Sequence, residues 1–457
     1  MGNYQGYQKY KDSGVEWLGE IPEHWEVIRI KFSTYVKGRV GWHGLNSKEF
    51  LYEGDFYLVT GTDFKNRTVN WESCYRITEE RYEEDPYIHL QEKDILITKD
   101  GTIGKVVQVK NIPYKASVNS GVFVTRPLKN KHYKDDYMFY VLASNIFHEF
   151  INLQKSGTTI SHLYQNVFEN FQYPFPPLDE QEKIAQFLDY KTKQIDELIK
   201  KKETLIEKLD EKRTAVISHA VTKGLDSSVP MKDSCIEWLG EIPKHWKVKR
   251  LKNIASCNDE SLGENTAPDF EIEYVDISSV DLVSGIRHYE NMTFEKAPSR
   301  ARRKVQDGDT IISTVRTYLK SIAAIKQPPI NLIVSTGFAV IRPKININSN
   351  YIGYLLQSEG FVGKVVSNSV GVSYPAINSS VLISLPVVEP PINEQQKIAQ
   401  FLDYKTAQID KQKAKIKQAI ELLKEYRTSL ITNAVTGKID VSQIAIPSPQ
   451  KPQPQKG

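Results

Sequence analysis

Cysteine is scarce. The 457 residues hold three, Cys74, Cys235 and Cys257, too few and too scattered for a disulfide framework or a paired-cysteine metal knuckle. Long hydrophobic runs are missing too. No apolar stretch approaches the roughly 18 residues that a bilayer span requires, and the N-terminal MGNYQGYQKYKDSG has no apolar region of the kind that directs secretion. These absences argue against a membrane protein and a disulfide scaffold, and a reduced, cytoplasmic setting is expected. Neither sign of charge is in excess: 60 basic against 56 acidic residues leave +4, too little to argue for a polyanionic partner from the total alone. The rest of the composition, 40% hydrophobic and 25% charged, is that of ordinary globular protein. At roughly 150 residues per domain, the length predicts about three domains.

What the chain does have is a repeat. KDSGVEWLGEIPEHW, from Lys11 to Trp25, returns as KDSCIEWLGEIPKHW from Lys232 to Trp246, with twelve of fifteen positions identical. EQEKIAQFLDYKT from Glu180 returns as EQQKIAQFLDYKT from Glu394, with twelve of thirteen identical. A spacing above 200 residues is far too long for a solenoid. The order is short motif, variable stretch, long helix, then all three again, as in a twofold dimer whose chains had been fused.

The variable stretches differ in sequence and share a skeleton. DILITKDGTIGKVVQV from Asp94 reads as strand, glycine turn and strand, and DTIISTVRTYLKSIAAI from Asp309 matches it. SGVFVTRP from Ser120 pairs with TGFAVIRP from Thr336, each followed by a helical stretch starting at Tyr137 or Tyr351. A polar loop follows in each, SGTTISHL from Ser156 and SVGVSYPAI from Ser369, and then a proline-rich boundary. This predicts an α/β (α+β) chain in the order 1–25 motif, 26–175 first globular domain, 176–230 first long helix, 231–389 motif and second domain, 390–440 second long helix, and 441–457 disordered tail.

The helices carry the plainest pattern. Residues 179–221 contain neither Gly nor Pro, and Asp179 with Glu182, or Asn393 with Gln396, could form a capping box. Ile409, Ile416, Leu423 and Leu430 recur every seven residues, as do Ile195, Leu209 and Val216 with Lys202 interrupting, which predicts a coiled-coil seam. The second helix has nine basic residues against five acidic ones between Asn393 and Lys438, so it could lie near a polyanion.

Catalytic signatures are mostly absent. Gly101-Thr102-Ile103-Gly104-Lys105 has two residues between its glycines where a phosphate loop needs four, so a tight turn is predicted. Asp85-Pro86-Tyr87 lacks one proline of the D-P-P-Y motif of amino-methyltransferases, and no glycine-rich cofactor loop precedes it. Pro268-Asp269 with Glu271 and Glu273 lacks the lysine of a metal-nuclease motif. The nine histidines show no ligand spacing, and His24 and His245, repeated beside tryptophans, read as structural. No metal or catalytic residue is assigned.

Local charge points elsewhere. Lys296, Arg300, Arg302, Arg303 and Lys304 form a basic run without an acid, followed by Arg316 and Lys320. The first domain has Lys37 and Arg39 near its start and Lys99, Lys105 and Arg126 around its hairpin. These residues flank Gly-, Ser- and Thr-rich loops that present hydrogen-bond donors, a combination suited to phosphates and base edges.

The paired W-L-G-E-I-P-x-H-W segments at Trp17 and Trp238 and the paired P-P-x-x-E-Q-x-K-I-A-x-F-L-D segments at Pro176 and Pro390 resemble the specificity subunit of type I restriction-modification systems, over roughly 11–440. The D-G-T-I-G-K hairpin at Asp100 and the S-G-T-T-I loop at Ser156 are similar to that family's recognition domains. The second half departs there, with Thr314-Val315-Arg316-Thr317 in place of the glycine hairpin and Val370-Gly371-Val372-Ser373 in place of G-T-T. The resemblance implies two target recognition domains, each reading half of a split asymmetric DNA sequence, and long helices that pair antiparallel and fix the spacer. It implies no catalysis in this chain. Two modification subunits would carry S-adenosylmethionine and methylate adenine, and motor-nuclease restriction subunits would bring ATP and Mg. A freestanding DNA-binding regulator, a silent specificity cassette or a fused enzyme are the alternatives. DNA contacts are expected from Lys37, Arg39, Lys99, Thr102, Lys105, Thr158, Thr159 and His162, and from Arg302, Arg303, Arg316, Lys320, Ser373 and Tyr374. Trp17, Trp25, Phe187, Trp238, Trp246 and Phe401 are expected to bind the modification subunit, with internal packing as the alternative for the tryptophans.

Overall fold

A computed structural model describes residues 4–39, 44–128, 133–154, 162–442 and 444–445. The chain divides into two compact units, Met1–Lys201 with Ala419–Gly457, and Lys202–Gln418. These boundaries cross the long helices rather than following them. Each unit takes the N-terminal half of one helix and the C-terminal half of the other, so chain order alone could not reveal the division.

In the first unit a six-stranded sheet runs in the order Thr34–Gly38, Val122–Pro127, Ile95–Thr98, Val106–Gln108, Thr68–Val69, Phe64–Lys65. Its central strands are buried on both faces, as near-continuous apolar runs should be. Successive side chains alternate: Ile95, Ile97 and Phe123 join a core with the helices Asp135–Leu142 and Asn145–Gln154. Leu96, Val122 and Val124 join a second core with Val59, Ala116 and Val118 of a three-stranded sheet.

The second unit repeats this plan with different strands. A four-stranded sheet runs Ala255–Cys257, Phe338–Pro343, Thr310–Ser313, Ile322–Ala324. Ile312, Ala339 and Ile341 face the helix Ser349–Gln357, while Ile311, Phe338 and Val340 face Val275 and Val334 of another four-stranded sheet. The mixed sheets and helices bear out the expected α+β class in both halves.

The repeated motifs meet each other inside each unit. Glu180 accepts a hydrogen bond from Trp25 Nε1 at 3.0 Å and one from the Tyr7 hydroxyl at 2.9 Å, and its other oxygen lies 2.8 Å from His24 Nε2. Glu394 accepts from Trp246 Nε1 at 2.9 Å and lies 2.6 Å from His245 Nε2. The next residue holds the globular domain: Gln181 accepts from the Lys134 amide and donates to the Pro176 carbonyl, and Gln395 does the same with Asn348 and Pro390. Further along, Asp189 accepts from the Tyr140 hydroxyl at 2.7 Å and Asp403 from Tyr354 at 2.8 Å.

The long helices run Leu178–Lys223 and Ile392–Val435. The expected capping boxes do not form, because each helix starts two residues early, at Leu178 and Ile392, and leaves Asp179 and Asn393 inside the first turn. Glu182 instead pairs with Lys134 at 2.7 Å. The seam is present, with Ile195, Leu209, Ile409 and Leu430 buried and Val216, Ile416 and Leu423 half-buried. In the first unit Asp196 pairs with Arg427 at 2.9 Å, and in the second Asp210 pairs with Lys413 and Asp410 lies 3.9 Å from Arg213. Rising numbers on one helix meet falling numbers on the other, which is antiparallel pairing. Part of the expected disordered tail is packed: Val441 is buried, the Asp440 amide donates to the Gln5 carbonyl at 2.8 Å, and Ile444 packs on the same core. Residues 446–457 lie outside the described residues.

Lys413 is a basic residue in an apolar seam and is buried, with Asp210 as its counter-ion. Asp210→Ala therefore should leave an unpaired buried ammonium and destabilise the chain by about 1–3 kcal/mol. Lys413→Met, which removes the charge and fits the seam, should change stability by less than about 1 kcal/mol. Calorimetric melting of both variants checks the pair; equal losses would show that the ion pair does not hold the seam.

Candidate nucleic-acid interface

The strand Ile95–Thr98 ends in a turn that Thr98 closes. The Thr98 amide donates to the Lys105 carbonyl at 3.0 Å, and the Gly104 amide donates to the Thr98 carbonyl at 2.9 Å. Gly101 has φ +65° and Gly104 φ +85°, backbone that disfavours a side chain, and a Cβ on Gly104 would also come 2.7 Å from Ile151 Cδ1. The turn leaves Thr102 and Lys105 exposed. A second loop meets its base: the Leu163 amide donates to the Lys99 carbonyl at 2.8 Å, His162 bridges to Asp100 through backbone and ring, and the His162 ring lies 4.8 Å from exposed Tyr164. The structure thus brings Thr102, Lys105 and His162 into one loop pair. Thr158 and Thr159 lie outside the described residues.

The second unit builds the same pair. The Ser313 amide donates to the Ser321 carbonyl, the Ile377 amide donates to the Thr314 carbonyl at 2.8 Å, and Val315 bridges to Ala376. Arg316, Lys320, Ser373 and Tyr374 are all exposed, and the Arg316 guanidinium lies 4.6 Å over the Tyr374 ring. Exposed Tyr318, Leu319, Val370 and Val372 share these loops and were missed in the sequence. Apolar side chains beside a basic turn are the signal that could have found them.

Several expected contacts are corrected. Lys37 is exposed on its strand, but Arg39 is only 2% exposed and donates to the Val118 carbonyl and Ser117 Oγ, each at 3.2 Å. Lys99 is also buried, its ammonium 4.9 Å over the Phe123 ring. Burial lowers the pKa of both groups, the sign expected for cations removed from water. Arg126 sits at the far end of its strand from the hairpin, 2.8 Å from Asp94, and Arg342 likewise binds Asp309 at 2.9 Å. The basic run of the second domain is largely engaged within its own unit: Arg300 pairs with Asp276 at 2.8 Å, Arg302 lies 4.4 Å over Phe294, and Arg303 is half-buried on the strand Ala301–Lys304.

Half of the expected partner surface is corrected as well. Trp25, Trp246 and Phe187 are fully buried in this chain's own cores. Trp17 is half-buried, donating to the Gln172 carbonyl at 3.0 Å and lying 5.1 Å from the Phe150 ring. Trp238 is half-buried against Phe361 at 6.2 Å, and Phe401 is half-buried against the second unit's core. Internal packing, the alternative reading for the tryptophans, accounts fully for Trp25 and Trp246 and in part for Trp17 and Trp238. Among the described residues there is no cluster of His, Cys, Asp and Glu that could hold a metal and no helix long and apolar enough to cross a membrane.

The family profile described as "Type I restriction modification DNA specificity domain" matches residues 22–208 and 243–422. The chain is similar to the type I restriction enzyme MjaVIII specificity subunit of Methanocaldococcus jannaschii, at 26% identity over 96% of this chain and 98% of that one. It is similar to the EcoKI specificity subunit of Escherichia coli at 21% identity, over 92% and 90% of the two chains. A solved structure described as the structural basis of complex assembly and conformational transition of the type I R-M system matches with TM-score 0.64 and 15% identity, covering 91% of this chain and 98% of that chain.

The division between buried and exposed cations is testable in the free protein. Arg39→Ala should lower stability by about 1–3 kcal/mol, because the Ser117 hydroxyl and Val118 carbonyl lose their donor inside the fold. Lys37→Ala, Lys105→Ala and Lys320→Ala should each stay within about 0.5 kcal/mol of the parent. Chemical denaturation reads all four; a Lys105 or Lys320 variant as damaged as Arg39→Ala would show that those loops are structural.

Proposed function

The chain belongs to the DNA specificity subunits of type I restriction-modification systems, and from that premise we propose that its two loop pairs read the two halves of a split, asymmetric DNA target. It is a recognition subunit, not a catalyst. The reading rests on one observation. The loop pairs at 99–105 with 162–164 and at 314–320 with 369–377 hang from equivalent backbone bonds, yet they expose different side chains. A shared scaffold with different loops is what independent reading of two half-sites requires. Exposed Lys105, Lys320 and Lys37 suit phosphate, and Thr102, His162, Arg316, Ser373 and Tyr374 suit base edges or the sugar-phosphate backbone.

In this reading two modification subunits dock on the chain and carry S-adenosylmethionine to methylate adenine, and restriction subunits supply the ATP- and Mg-dependent motor and nuclease. The long helices, each one uninterrupted element, would set the number of unread base pairs between the half-sites. The two half-buried tryptophans, Trp17 and Trp238, and Phe401 keep some surface that a modification subunit could cover.

Replacing residues 26–175 by the first domain of another specificity subunit should change one half of the methylated motif and leave the other half as it was. Long-read sequencing of a host carrying the hybrid with its modification subunits gives the answer. A motif changed in both halves, or in neither, contradicts modular reading.

A further inference from the structure

The backbone bonds align the two hairpins residue by residue. Thr98 and Ser313 hold equivalent places, since their amides donate to Lys105 and Ser321 across the turn. Lys99 and Thr314 follow, each donating to a glycine carbonyl, of Gly121 or Gly337, and each accepting from the neighbouring loop. Asp100 and Val315 come next, each bridged to that loop. Gly101 therefore corresponds to Arg316, and Gly104, one residue before the turn closes, corresponds to Lys320. The second hairpin is one residue longer between them.

All four residues are left-handed: φ is +65° and +85° at the glycines, +50° at Arg316 and +54° at Lys320. Glycine adopts that conformation freely, whereas an L side chain crowds its own backbone there. The second unit thus keeps two long cationic side chains at turn positions where the first unit uses glycine. Neither does structural work that would account for the strain. Both are exposed, and among the described residues neither side chain makes an ion pair or hydrogen bond. The guanidinium of Arg316 is instead held 4.6 Å over the Tyr374 ring, itself 64% exposed, which limits the orientations of a group that would otherwise swing freely. Strained backbone that supports an oriented, unpaired, solvent-facing group is the signature of a residue kept for what its side chain touches.

We propose that Arg316 is a specificity-determining residue, reading a guanine in the half-site of the second unit by two parallel hydrogen bonds, with Lys320 on a nearby phosphate. A guanidinium presented edge-on fits the two acceptors that guanine offers in the major groove, and an ammonium does not. This rests on the reading of the loop pairs as the DNA-contacting surface.

Arg316→Gly separates the two roles, because glycine relieves the backbone while removing the side chain. In the full chain with its modification subunits, the variant should melt no lower than the parent. On duplexes carrying the methylated motif with single base-pair changes, it should lose about ten- to a hundredfold of discrimination at one G·C pair of the second half-site, the first half-site being unaffected. Arg316→Lys should lose the same discrimination. Lys320→Gly should weaken all sequences alike and reduce the salt dependence by about one ion. Three results would overturn the proposal: a second half-site without a G·C pair, full discrimination kept by Arg316→Gly, or a lower melting temperature with uniform loss of binding. In each of these the two-part motif survives and the wider reading stands. A parent complex that distinguishes no sequence at all would sink both together.

Discussion

Glu180 and Glu394 hold the molecule's plan together. Each carboxylate, in the first turn of a long helix, takes the indole N–H of a fully buried tryptophan and faces the histidine beside it. Carboxylate-to-donor bonds are stronger than neutral ones, and here they tie a segment far away in the chain to the helix start. The neighbouring glutamines, fully buried, fix the start of the domain helices Asp135–Leu142 and Ser349–Gln357 through the backbone amides of Lys134 and Asn348. The aspartates about two and a half turns along bind the Tyr140 and Tyr354 hydroxyls. One helical face thus sets the position of a whole recognition domain, twice, with the same atoms.

This explains where the repeat is strict and where it is loose. Positions that contact both helix and domain, such as Glu180, Gln181, Asp189 and Thr192, recur in the second copy because each has a hydrogen-bond partner that another side chain could not satisfy. Loop positions have no such duty. Asp100 and Val315 occupy the same place with unlike chemistry: both are bridged through the backbone, and only Asp100 adds a side-chain contact, to the His162 ring. The helix seam shows the same division. Asp196 with Arg427 and Asp410 with Arg213 are repeat equivalents, whereas Lys413 with Asp210 occurs in the second unit alone. The equivalent of Lys413 in the first copy is Ile199.

Much of the fold was legible because it follows from period and repetition. The long helix expected at 179–221 runs Leu178–Lys223, and the hairpin strands at 95 and 106 and at 310 and 322 stand where the apolar runs put them. The site was less legible, for reasons particular to its residues. Arg39 and Lys37 are two apart on one chain segment, but the first turns into the fold where the strand ends. Trp25 and Trp246 looked like surface anchors because a repeated aromatic does not say which partner it meets, and the answer was a glutamate of the same chain. The left-handed backbone of Arg316 and Lys320 leaves no trace in composition or spacing. Only the matching bonds of the glycine hairpin reveal it.

The central claim is that the loop pairs, and not the second helix with its excess of basic residues, meet DNA. Amide deuterium uptake of the full chain with its modification subunits, with and without a duplex carrying the methylated motif, tests it directly. Slower exchange on DNA binding at 99–105, 162–164, 314–320 and 369–377 is predicted, with no change at the buried tryptophans. Slowing confined to the helical residues 397–417, with both loop pairs exchanging as before, would contradict it.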